Sequence, residues 1–455
     1  MIPVEKNKEY TVCIDTVASD GNGVAHADGF AVFIPQTAIG DTVKIQITDI
    51  KKRFAAGKIV DIISPSPSRC NIDCEQYELC GGCQLRHINY TQQLEIKKNI
   101  IENAMRRIGG FSDFSLNNMV GAENINRYRN KMVFPVGYKD NKTVCGFYAP
   151  RTHDIVPLTD CLLGDELNKS INNAIMEYMS ENNVSAYDEK KHTGIIRRIF
   201  TRKSFLTGEI MTVICANSKS LPAVDKLVEK LTTASDRISS IILNINTKKN
   251  NFTITDNNIT LWGKSEITDS LLDTEFTISP QSFFQINPQQ TEKLYSKAIE
   301  FADFDKNQSV MDIYCGIGTI SLCAAKKAKY VIGIEIVEKA VLDARKNALK
   351  NNIQNAVFYA DIAENIVPKL IAQGETPDIV MLDPPRKGSD ESTLSAIIKA
   401  NPKRIVYISC NPATLARDAR FIADNGYKLS DSCGFDLFPH TAHVECVVLL
   451  SRVDN

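Results

Sequence analysis

A cysteine that follows a buried strand is the first candidate for chemistry in this sequence. Residues 405–408 (Ile-Val-Tyr-Ile) form a short apolar run that predicts a buried strand, and Asn411-Pro412 ends it. Cys410 therefore lies just past the carboxyl end of a strand, at the edge where open α/β sheets bind ligands. A thiol there can act as a nucleophile if its pKa is lowered or a base lies nearby. A lone cysteine is otherwise a small buried apolar residue.

Four more cysteines lie in one short segment, at positions 70, 74, 80 and 83. Cys80 and Cys83 have the C-x2-C spacing of a metal knuckle, and the two glycines between them let the backbone turn both sulfurs towards one ion or cluster. A zinc site and an iron–sulfur cubane both accept four thiolates, so the spacing leaves the metal open. The fourth ligand is either Cys70 or a distant residue such as Cys161.

Glycines and acids follow successive predicted strands in the C-terminal part of the chain. The segment Asp312-Ile-Tyr-Cys-Gly-Ile-Gly318 follows the first strand, and its glycines let the backbone approach a ligand closely. Glu335 ends the second strand, where a carboxylate can accept hydrogen bonds from ribose hydroxyls. Asp361 follows the third strand, within reach of an adenine edge. This pattern favours a nucleoside site over acids that only cap the next helices.

Alternating strands and helices must position these groups. Candidate strands lie at residues 309–314, 330–335, 356–359, 378–382, 405–409 and 444–450, and helical stretches separate most of them. Such alternation predicts an α/β domain over residues 271–455, with a Rossmann-like, mostly parallel sheet that is covered on both faces.

Two further domains precede this one. Residues 1–64 contain short strand signals separated by turns, which predicts an all-β, OB-like barrel. The stretch Lys51-Lys-Arg-Phe54 offers basic and aromatic groups that would contact RNA on such a barrel, or it is a solvated loop. Residues 65–270 are predicted to be a central α/β domain that carries the cysteine site. Its segment Arg127–Lys131 either meets phosphate oxygens or forms a charged outer strand face.

The composition excludes little. The 53 basic and 54 acidic side chains give a formal net charge of -1, and a nucleic-acid-binding protein of this size can confine its positive charge to one face. Thirteen cysteines behind an N-terminus with no apolar signal core favour metal or thiol chemistry over disulfides. No apolar run is long enough to span a membrane. We expect a cytoplasmic protein with no membrane partner.

The first two domains resemble parts of RNA-modifying enzymes. Residues 1–64 resemble a TRAM domain, a small RNA-binding barrel, through Asp20-Gly-Asn-Gly-Val-Ala-His26, Phe33-Ile-Pro and Gly40-Asp-Thr-Val. The pattern Cys-x5-Cys-x2-Cys within Cys-Gly-Gly-Cys-Gln-Leu-Arg-His, with a later cysteine, resembles bacterial RNA uracil-5-methyltransferases that carry a [4Fe–4S] cluster. That resemblance implies four iron–sulfur ligands and leaves Cys70 spare. The implied ligands are Cys74, Cys80, Cys83 and Cys161.

The C-terminal domain resembles class I methyltransferases, which bind S-adenosylmethionine. The glycine-turn motif has the form found in uracil-5-methyltransferases, and Ser282-Phe-Phe-Gln-Ile-Asn287 matches the same family. Thr319 stands where the family commonly has asparagine. The resemblance implies a pocket for cofactor and substrate that is lined by Gln285, Tyr314, Thr319, Glu335, Asp361 and Asp383.

Two further motifs indicate which atom is methylated. Enzymes that methylate amino nitrogens commonly have an aromatic residue where Arg386 follows Asp383-Pro-Pro, so the resemblance favours carbon as the acceptor. It implies that Cys410 adds to carbon 6 of uracil and activates carbon 5, while Asp383 holds the uracil edge. Glu445, in Pro439-His-Thr-Ala-His-Val-Glu445, would remove the carbon-5 proton. His443 is either a core residue or a neighbour of this base.

The resemblance covers nearly the whole chain. It implies an S-adenosylmethionine-dependent RNA uracil-5-methyltransferase that acts as a monomer on 23S ribosomal RNA. The barrel together with the cysteine site favours ribosomal RNA over transfer RNA, which is the second candidate substrate. Two competing hypotheses are an amino-group methyltransferase, which needs no thiol, and a non-catalytic RNA-binding iron–sulfur protein.

Overall fold

The computed structural model describes residues 2–249 and 254–453, and its first unit is a six-stranded sheet in the order β1-β5-β6-β4-β3-β2. Val43, Ile45 and Ile47 alternate along one strand into the core of this unit. The sequence signals predict the longer strands, whereas β2 and β3 carry too few large apolar side chains to be recognised. The strands are β1 (Glu9–Cys13), β2 (Thr16–Val17), β3 (Gly23–Ala27), β4 (Phe30–Ile34), β5 (Thr42–Ile50) and β6 (Ala55–Ser64).

Two elements within the range predicted for the central domain pack elsewhere. Helix α1 (Tyr90–Arg107) begins at Asn89, whose side chain accepts a hydrogen bond from the backbone N–H of Gln92. Its apolar face, including Ile101, joins the same buried cluster as Leu415 of the C-terminal domain. Strand β7 (Asn118–Val120) adds to the edge of the C-terminal sheet. The apolar stripe of α1 and the open sheet edge draw this segment onto the C-terminal domain.

The central sheet has seven strands in the order β10-β9-β8-β11-β12-β13-β14. Its strand Ile210–Ala216 is buried throughout, because helices cover one face and the C-terminal domain covers the other. The elements are β8 (Lys131–Lys139), β9 (Lys142–Tyr148), β10 (Ile155–Pro157), α2 (Leu167–Glu181), β11 (Ile196–Lys203), β12 (Ile210–Ala216), α3 (Val224–Ala234), β13 (Ile238–Ile245) and β14 (Asn258–Gly263).

The C-terminal domain begins with a hairpin and one helix: β15 (Ile267–Leu271), β16 (Thr274–Ile278) and α4 (Pro288–Ala302). The alternating elements that follow confirm the predicted α/β architecture. They are β17 (Ser309–Ile313), α5 (Thr319–Ala325), β18 (Tyr330–Glu335), α6 (Glu338–Lys350), β19 (Ala356–Ala360), α7 (Ala363–Ala372), β20 (Ile379–Leu382), α8 (Glu391–Ala400), β21 (Arg404–Ser409), α9 (Pro412–Asp424), β22 (Tyr427–Phe435) and β23 (Glu445–Arg452).

The sheet of this domain has the order β19-β18-β17-β20-β21-β23-β22-β7. The strands from β19 to β21 are parallel, and β23 runs antiparallel between β21 and β22. Because the parallel strands end at the same edge, the loops after β17, β18, β20 and β21 lie side by side. Among the described residues, no helix is long and apolar enough to cross a bilayer.

A buried carboxylate ties the N-terminal sheet to the cysteine segment. Asp41, which is 0% exposed, accepts hydrogen bonds from the backbone N–H groups of Ala38 and Ser66. It also accepts two from the guanidinium of Arg69, at 2.8 and 2.7 Å. This pairing fixes the N-terminal sheet against the chain that enters the cysteine segment.

We expect the substitution Asp41→Ala to loosen this junction, because it leaves the Arg69 charge without its partner. Breaking a buried pair costs about 3–5 kcal/mol. Hydrogen–deuterium exchange should become faster in β5 and β6 and stay unchanged in the central sheet. Lys44→Ala, which removes an exposed pair with Glu9 on the same sheet, is the matched control and should leave exchange unchanged. Unchanged exchange in the Asp41 variant would contradict this assignment.

Candidate active site

The loops at the carboxyl edge of the C-terminal sheet enclose a cavity of about 610 Å³. All eight residues predicted for catalysis and for binding cofactor and substrate line it. They are Gln285, Tyr314, Thr319, Glu335, Asp361, Asp383, Cys410 and Glu445. The structure therefore brings together residues that are up to 160 positions apart in the sequence, since Gln285 and Glu445 belong to the same wall.

One half of the cavity is formed by the turn after β17. Gly318 has φ +83°, and a Cβ there would lie 3.2–3.3 Å from Ala344, Leu322 and Phe358, so only glycine fits without strain. The backbone N–H of Gly316 donates to one carboxylate oxygen of Glu335 at 3.1 Å. The N–H of Val337 donates to the other oxygen at 2.9 Å. The turn and the acid at the end of β18 are thus held as one unit.

Two apolar side chains flank this half and were not predicted from the sequence. Ile336 is 62% exposed and Ile362 is 36% exposed, and both line the cavity. Each follows directly after one of the strand-end acids, Glu335 and Asp361. Paired apolar side chains next to hydrogen-bonding carboxylates suit a flat heterocycle joined to a ribose.

The other half of the cavity contains Cys410, between the end of β21 and the start of α9. Asn411 caps the helix by accepting from the N–H of Ala413 at 3.1 Å, and Pro412 occupies the first turn. The Asn411 side chain also donates to the carbonyl of Arg386 at 2.8 Å. This hydrogen bond joins the cysteine loop to the Asp-Pro-Pro-Arg loop. The positive end of the α9 dipole favours a thiolate at this position.

Glu445 reaches the same place from the antiparallel strand. Ser409 of β21 pairs with Cys446 of β23 in antiparallel register. Cys410 and Glu445 are the next residues on the two strands, so both lie at this edge of the sheet. Glu445 is only 4% exposed. Burial, together with nearby Asp383, raises the pKa of Glu445 well above its ordinary value, and Arg386 opposes this shift.

The same charges act on the thiol. Burial, with the charges of Glu445 and Asp383, raises the pKa of Cys410 to about 11, while Arg386 lowers it. Burial and the neighbouring Asp312 raise the pKa of Asp383 to about 7. At neutral pH, Cys410 is therefore mainly protonated, and the ionised form of Glu445 is disfavoured. Arg386 is the cation that favours the ionised form of both groups.

His443 belongs to the cavity and not to the core. It lines the wall two residues before Glu445, and its ring meets that of Phe438 edge-on, with 6.0 Å between the centroids. Burial and the charge of Arg386 lower the pKa of His443 to about 4, so the imidazole is neutral. His443 is therefore a neighbour of Glu445 in the cavity wall and not a core residue.

Sequence reasoning missed three aromatic residues of the wall: Phe283, Tyr295 and Phe438. Phe283 is 63% exposed at the cavity, and Tyr295 is buried with its hydroxyl 3.4 Å from that of Thr319. Tyr295 has the helical spacing of an ordinary core residue in α4, so its sequence context contains no signal for a site.

The predicted cysteine ligands lie outside this cavity. Burial raises the pKa of Cys80, and the charges of Cys161 and Cys74 contribute in the same direction, so these three thiols interact electrostatically. Cys161 and Cys80 act in the same way on Cys83, whose pKa burial raises to about 12. Among the described residues, no three His, Cys, Asp or Glu side chains are close enough to hold a single metal ion.

Cys70 lies apart from this group. Its thiol donates to the carbonyl of Arg86 at 3.5 Å; burial and the charge of Asp73 raise its pKa, while Arg86 opposes this shift. The basic segment Arg127–Lys131 turns inwards at its first residue. Arg127 makes a two-point ion pair with Asp160, so the structure does not favour phosphate binding by this residue.

A glycine turn after the first strand, acids at the next strand ends and this sheet order define a class I, S-adenosylmethionine-dependent methyltransferase. Comparison with known proteins then gives the family. The profile described as tRNA (Uracil-5-)-methyltransferase matches residues 89–453, and the TRAM domain profile matches residues 3–60. The chain belongs to this methyltransferase family and is an RNA methyltransferase.

Relatives match over the full length. The chain is 42% identical over 450 residues to an uncharacterized RNA methyltransferase of Clostridium tetani, covering 99% of this chain and 98% of the relative. A protein of the same description from Bacillus cereus is 42% identical over 453 residues, covering 100% and 98%. The solved structure of Pyrococcus abyssi tRNA (uracil-54, C5)-methyltransferase with S-adenosyl-L-homocysteine is 27% identical, with a TM-score of 0.79, covering 97% of this chain and 100% of that one.

The raised pKa of Cys410 predicts a pH-dependent thiol. Since the thiolate is the reactive form and the pKa is about 11, alkylation by iodoacetamide should rise about tenfold per pH unit between roughly pH 7 and pH 9. Arg386→Gln should slow alkylation at each pH, because it removes the charge that favours the thiolate. Peptide mass spectrometry reports Cys410 separately, with exposed Cys13 as the internal reference. A rate at Cys410 that levels off near pH 9, as it would for a thiol with an ordinary pKa of about 8.5, would contradict the shift.

Proposed function

We propose that this enzyme transfers the methyl group of S-adenosylmethionine to carbon 5 of a uridine in RNA, through a covalent adduct between Cys410 and carbon 6. The observation that carries the proposal is the meeting of Cys410, Glu445 and Asp383 in the cavity that also contains the glycine turn. A methyltransferase that acts on an amino nitrogen needs neither a thiol nor a base at these positions.

The reaction follows from the chemistry of the pyrimidine. Cys410 loses its proton to solvent, and the thiolate adds to carbon 6, which moves an electron pair through carbon 5 to the carbonyl oxygen at position 4. Carbon 5 of this enolate takes the methyl group from the sulfonium. Glu445, in its ionised form, then removes the carbon-5 proton, and elimination returns the thiolate. Arg386 favours both ionised groups, and Asp383 would bond the uracil edge.

The remaining cavity residues suit the cofactor and the substrate. Glu335 would accept from the ribose hydroxyls, and Asp361 would face the adenine, which Ile336 and Ile362 would flank. Tyr314 and Thr319 would border the methionine part beside the glycine turn. Gln285, which also lines the cavity, would contact the uracil. The solved Pyrococcus relative, which holds S-adenosyl-L-homocysteine, supports the cofactor assignment.

RNA would reach the cavity with its target base turned out of the stack, which costs a few kcal/mol. The hairpin of the barrel offers one contact. Lys51, Lys52, Arg53 and Phe54 are exposed there, and the ring of Phe54 packs edge-on against Phe33 at 5.2 Å. Basic groups would follow the phosphates and Phe54 would stack on a base. We propose that the enzyme binds RNA in this way as a monomer in the cytoplasm.

The target that we propose is 23S ribosomal RNA. The barrel and the cysteine site, which accompany the methyltransferase domain in this chain, support it. Transfer RNA is the second candidate, because the family description and the name of the Pyrococcus relative both specify tRNA. Mapping 5-methyluridine in the two RNA classes from a strain that lacks this gene distinguishes them, since the modification should disappear from one class only.

The covalent step can be trapped with RNA that contains 5-fluorouracil. Fluorine cannot leave carbon 5 as a proton does, so the wild-type enzyme should form a stable adduct on a denaturing gel. Cys410→Ala should form none. Glu445→Gln should form this adduct and should also hold ordinary uracil RNA covalently, with turnover lowered about 10²–10⁴-fold. An amino-group methyltransferase or a non-catalytic RNA-binding protein would give no adduct that depends on Cys410.

We propose that the cysteine site holds a [4Fe–4S] cluster. The spacing of the cysteines accepts either a cluster or a zinc ion, and the resemblance to iron–sulfur uracil-5-methyltransferases supports the cluster. The N–H of Gly82 donates to the sulfur of Cys80 at 3.3 Å. Arg86 and Arg129 lower the pKa of Cys83, so positive charge faces the site. The ligands would be Cys74, Cys80, Cys83 and Cys161.

Metal analysis tests this assignment. Anaerobically purified protein should contain iron and sulfide in equal amounts, close to four of each per chain. Substituting Ser for Cys80 or Cys161 should lower both, whereas Cys70→Ser is the matched control and should leave both unchanged. Zinc in place of iron, or loss of iron in the Cys70 variant, would contradict the assignment.

A further inference from the structure

The loop between β22 and β23, residues 436–444, contributes to the active site along its length. Phe438 and His443 of this loop line the cavity, and the next residue after it is Glu445. The position of the proposed base therefore depends on how this loop is held. We call residues 436–444 the base loop.

A buried lysine from α1 reaches the base loop. The Nζ of Lys97 donates to a carboxylate oxygen of Asp436 at 2.6 Å and to the backbone carbonyl of Phe438 at 3.0 Å. Both side chains of this ion pair are 0% exposed. The same oxygen of Asp436 accepts from the N–H of Phe438 at 3.1 Å, so the pair closes the first turn of the loop.

A buried ion pair is weak evidence for stability, because the desolvation of both charges offsets their attraction. Apolar residues of similar volume would fill this interior at least as well. What the pair adds is direction: an ammonium with two fixed acceptors holds the carbonyl of Phe438 in one place, which an apolar contact does not do. The geometry of the Lys97–Asp436 pair therefore suits a role in positioning the carbonyl of Phe438.

Other parts of the chain hold the loop from different sides. The N–H groups of Gln84 and Leu85, in the cysteine segment, both donate to the carbonyl of His440 at 3.0 and 2.9 Å. Gln93, one turn before Lys97 on α1, accepts from the N–H of His440 at 2.9 Å. The hydroxyl of Tyr128 donates to the carbonyl of Pro439 at 3.1 Å. Three parts of the chain thus contact the base loop, and Lys97 contacts its first residue, Asp436.

We propose that Lys97 is a positioning residue for the proton-abstraction step: through Asp436 and the Phe438 carbonyl it fixes the base loop, which places His443 and Glu445 against the methylated uracil. The inference rests on the proposed function. Lys97 should affect proton removal and not thiol attack. Cys410 follows a different strand, and its loop is held by the hydrogen bond from Asn411 to the Arg386 carbonyl.

The test uses the full-length enzyme with the double variant Lys97→Met/Asp436→Asn, which removes both charges and keeps an acceptor for the N–H of Phe438. Adduct formation with 5-fluorouracil RNA measures thiol attack and methyl transfer, neither of which needs Glu445. The lifetime of the covalent complex with ordinary uracil RNA measures proton removal. Both are read at saturating RNA and S-adenosylmethionine.

We expect adduct formation with 5-fluorouracil RNA to keep its wild-type rate. The uracil complex should persist about 10- to 100-fold longer, the size of effect expected when a reacting group is misplaced by about 1 Å. The matched control is Lys203→Met/Asp165→Asn, which removes a 2.6 Å Lys–Asp pair in the central domain and should change neither measurement.

The outcomes separate this inference from the proposed function. If the wild-type enzyme forms no adduct with 5-fluorouracil RNA, the proposed function fails. If the wild-type enzyme does form the adduct, two results for the double variant would overturn the inference. Slower adduct formation together with an equally longer lifetime of the uracil complex would mean that Lys97 has only a structural role. No change in either measurement would mean that it has no role. Asp436→Asn alone keeps the size of the side chain and is the second variant if the double variant does not fold. It should lengthen the lifetime of the uracil complex in the same direction, and no change would overturn the inference.

Discussion

The antiparallel strand β23 is the constraint on which the site depends. Its pairing with β21 sets Cys446 opposite Ser409, and this register places a carboxylate beside a thiol at the edge of the sheet. A shift of the pairing by one residue would turn Glu445 to the opposite face, because side chains alternate along a strand. The hydrogen-bond ladder of the sheet therefore decides whether Cys410 has an acid next to it.

The site places several acidic groups close together in a buried environment, which disfavours their ionised forms. Glu445 and Asp383 both disfavour the ionised form of Cys410, Asp383 disfavours that of Glu445, and burial acts in the same direction. Arg386, held by the Asn411 side chain, supplies the opposing charge. The proposed mechanism needs a thiolate and a carboxylate at successive steps, and Arg386 would favour each of these charges in turn.

Buried polar side chains join the domains around this site. Arg202 of the central sheet is fully buried and donates to the carbonyls of Ser279 and Ser282, just before Phe283 of the cavity wall. Asp41 links the barrel to the cysteine segment, and that segment touches the base loop through Gln84 and Leu85. Each of these contacts satisfies backbone groups that would otherwise be buried without partners. The domains thus reach the active site through directional contacts.

Much of the fold was predictable, because it depends on local patterns. Apolar runs bounded by turn residues marked β17 to β21, and short motifs marked the eight residues that line the cavity. These signals are local since a strand and the loop after it are neighbours in sequence. Their roles in binding and catalysis remain predictions.

Other features required the tertiary structure. Tyr295 and Ile336 lie in the cavity because of how α4 and the loop after β18 pack, and nothing in their sequence context differs from an ordinary core or surface position. The sequence around Arg127 was compatible with phosphate binding, but the side chain pairs with Asp160. Which partner an arginine meets depends on the tertiary structure. The sequence alone determined which chemical groups follow each strand. Only the tertiary structure decided which of them meet, because a charge, a register or a packed face acts between segments that are distant along the chain.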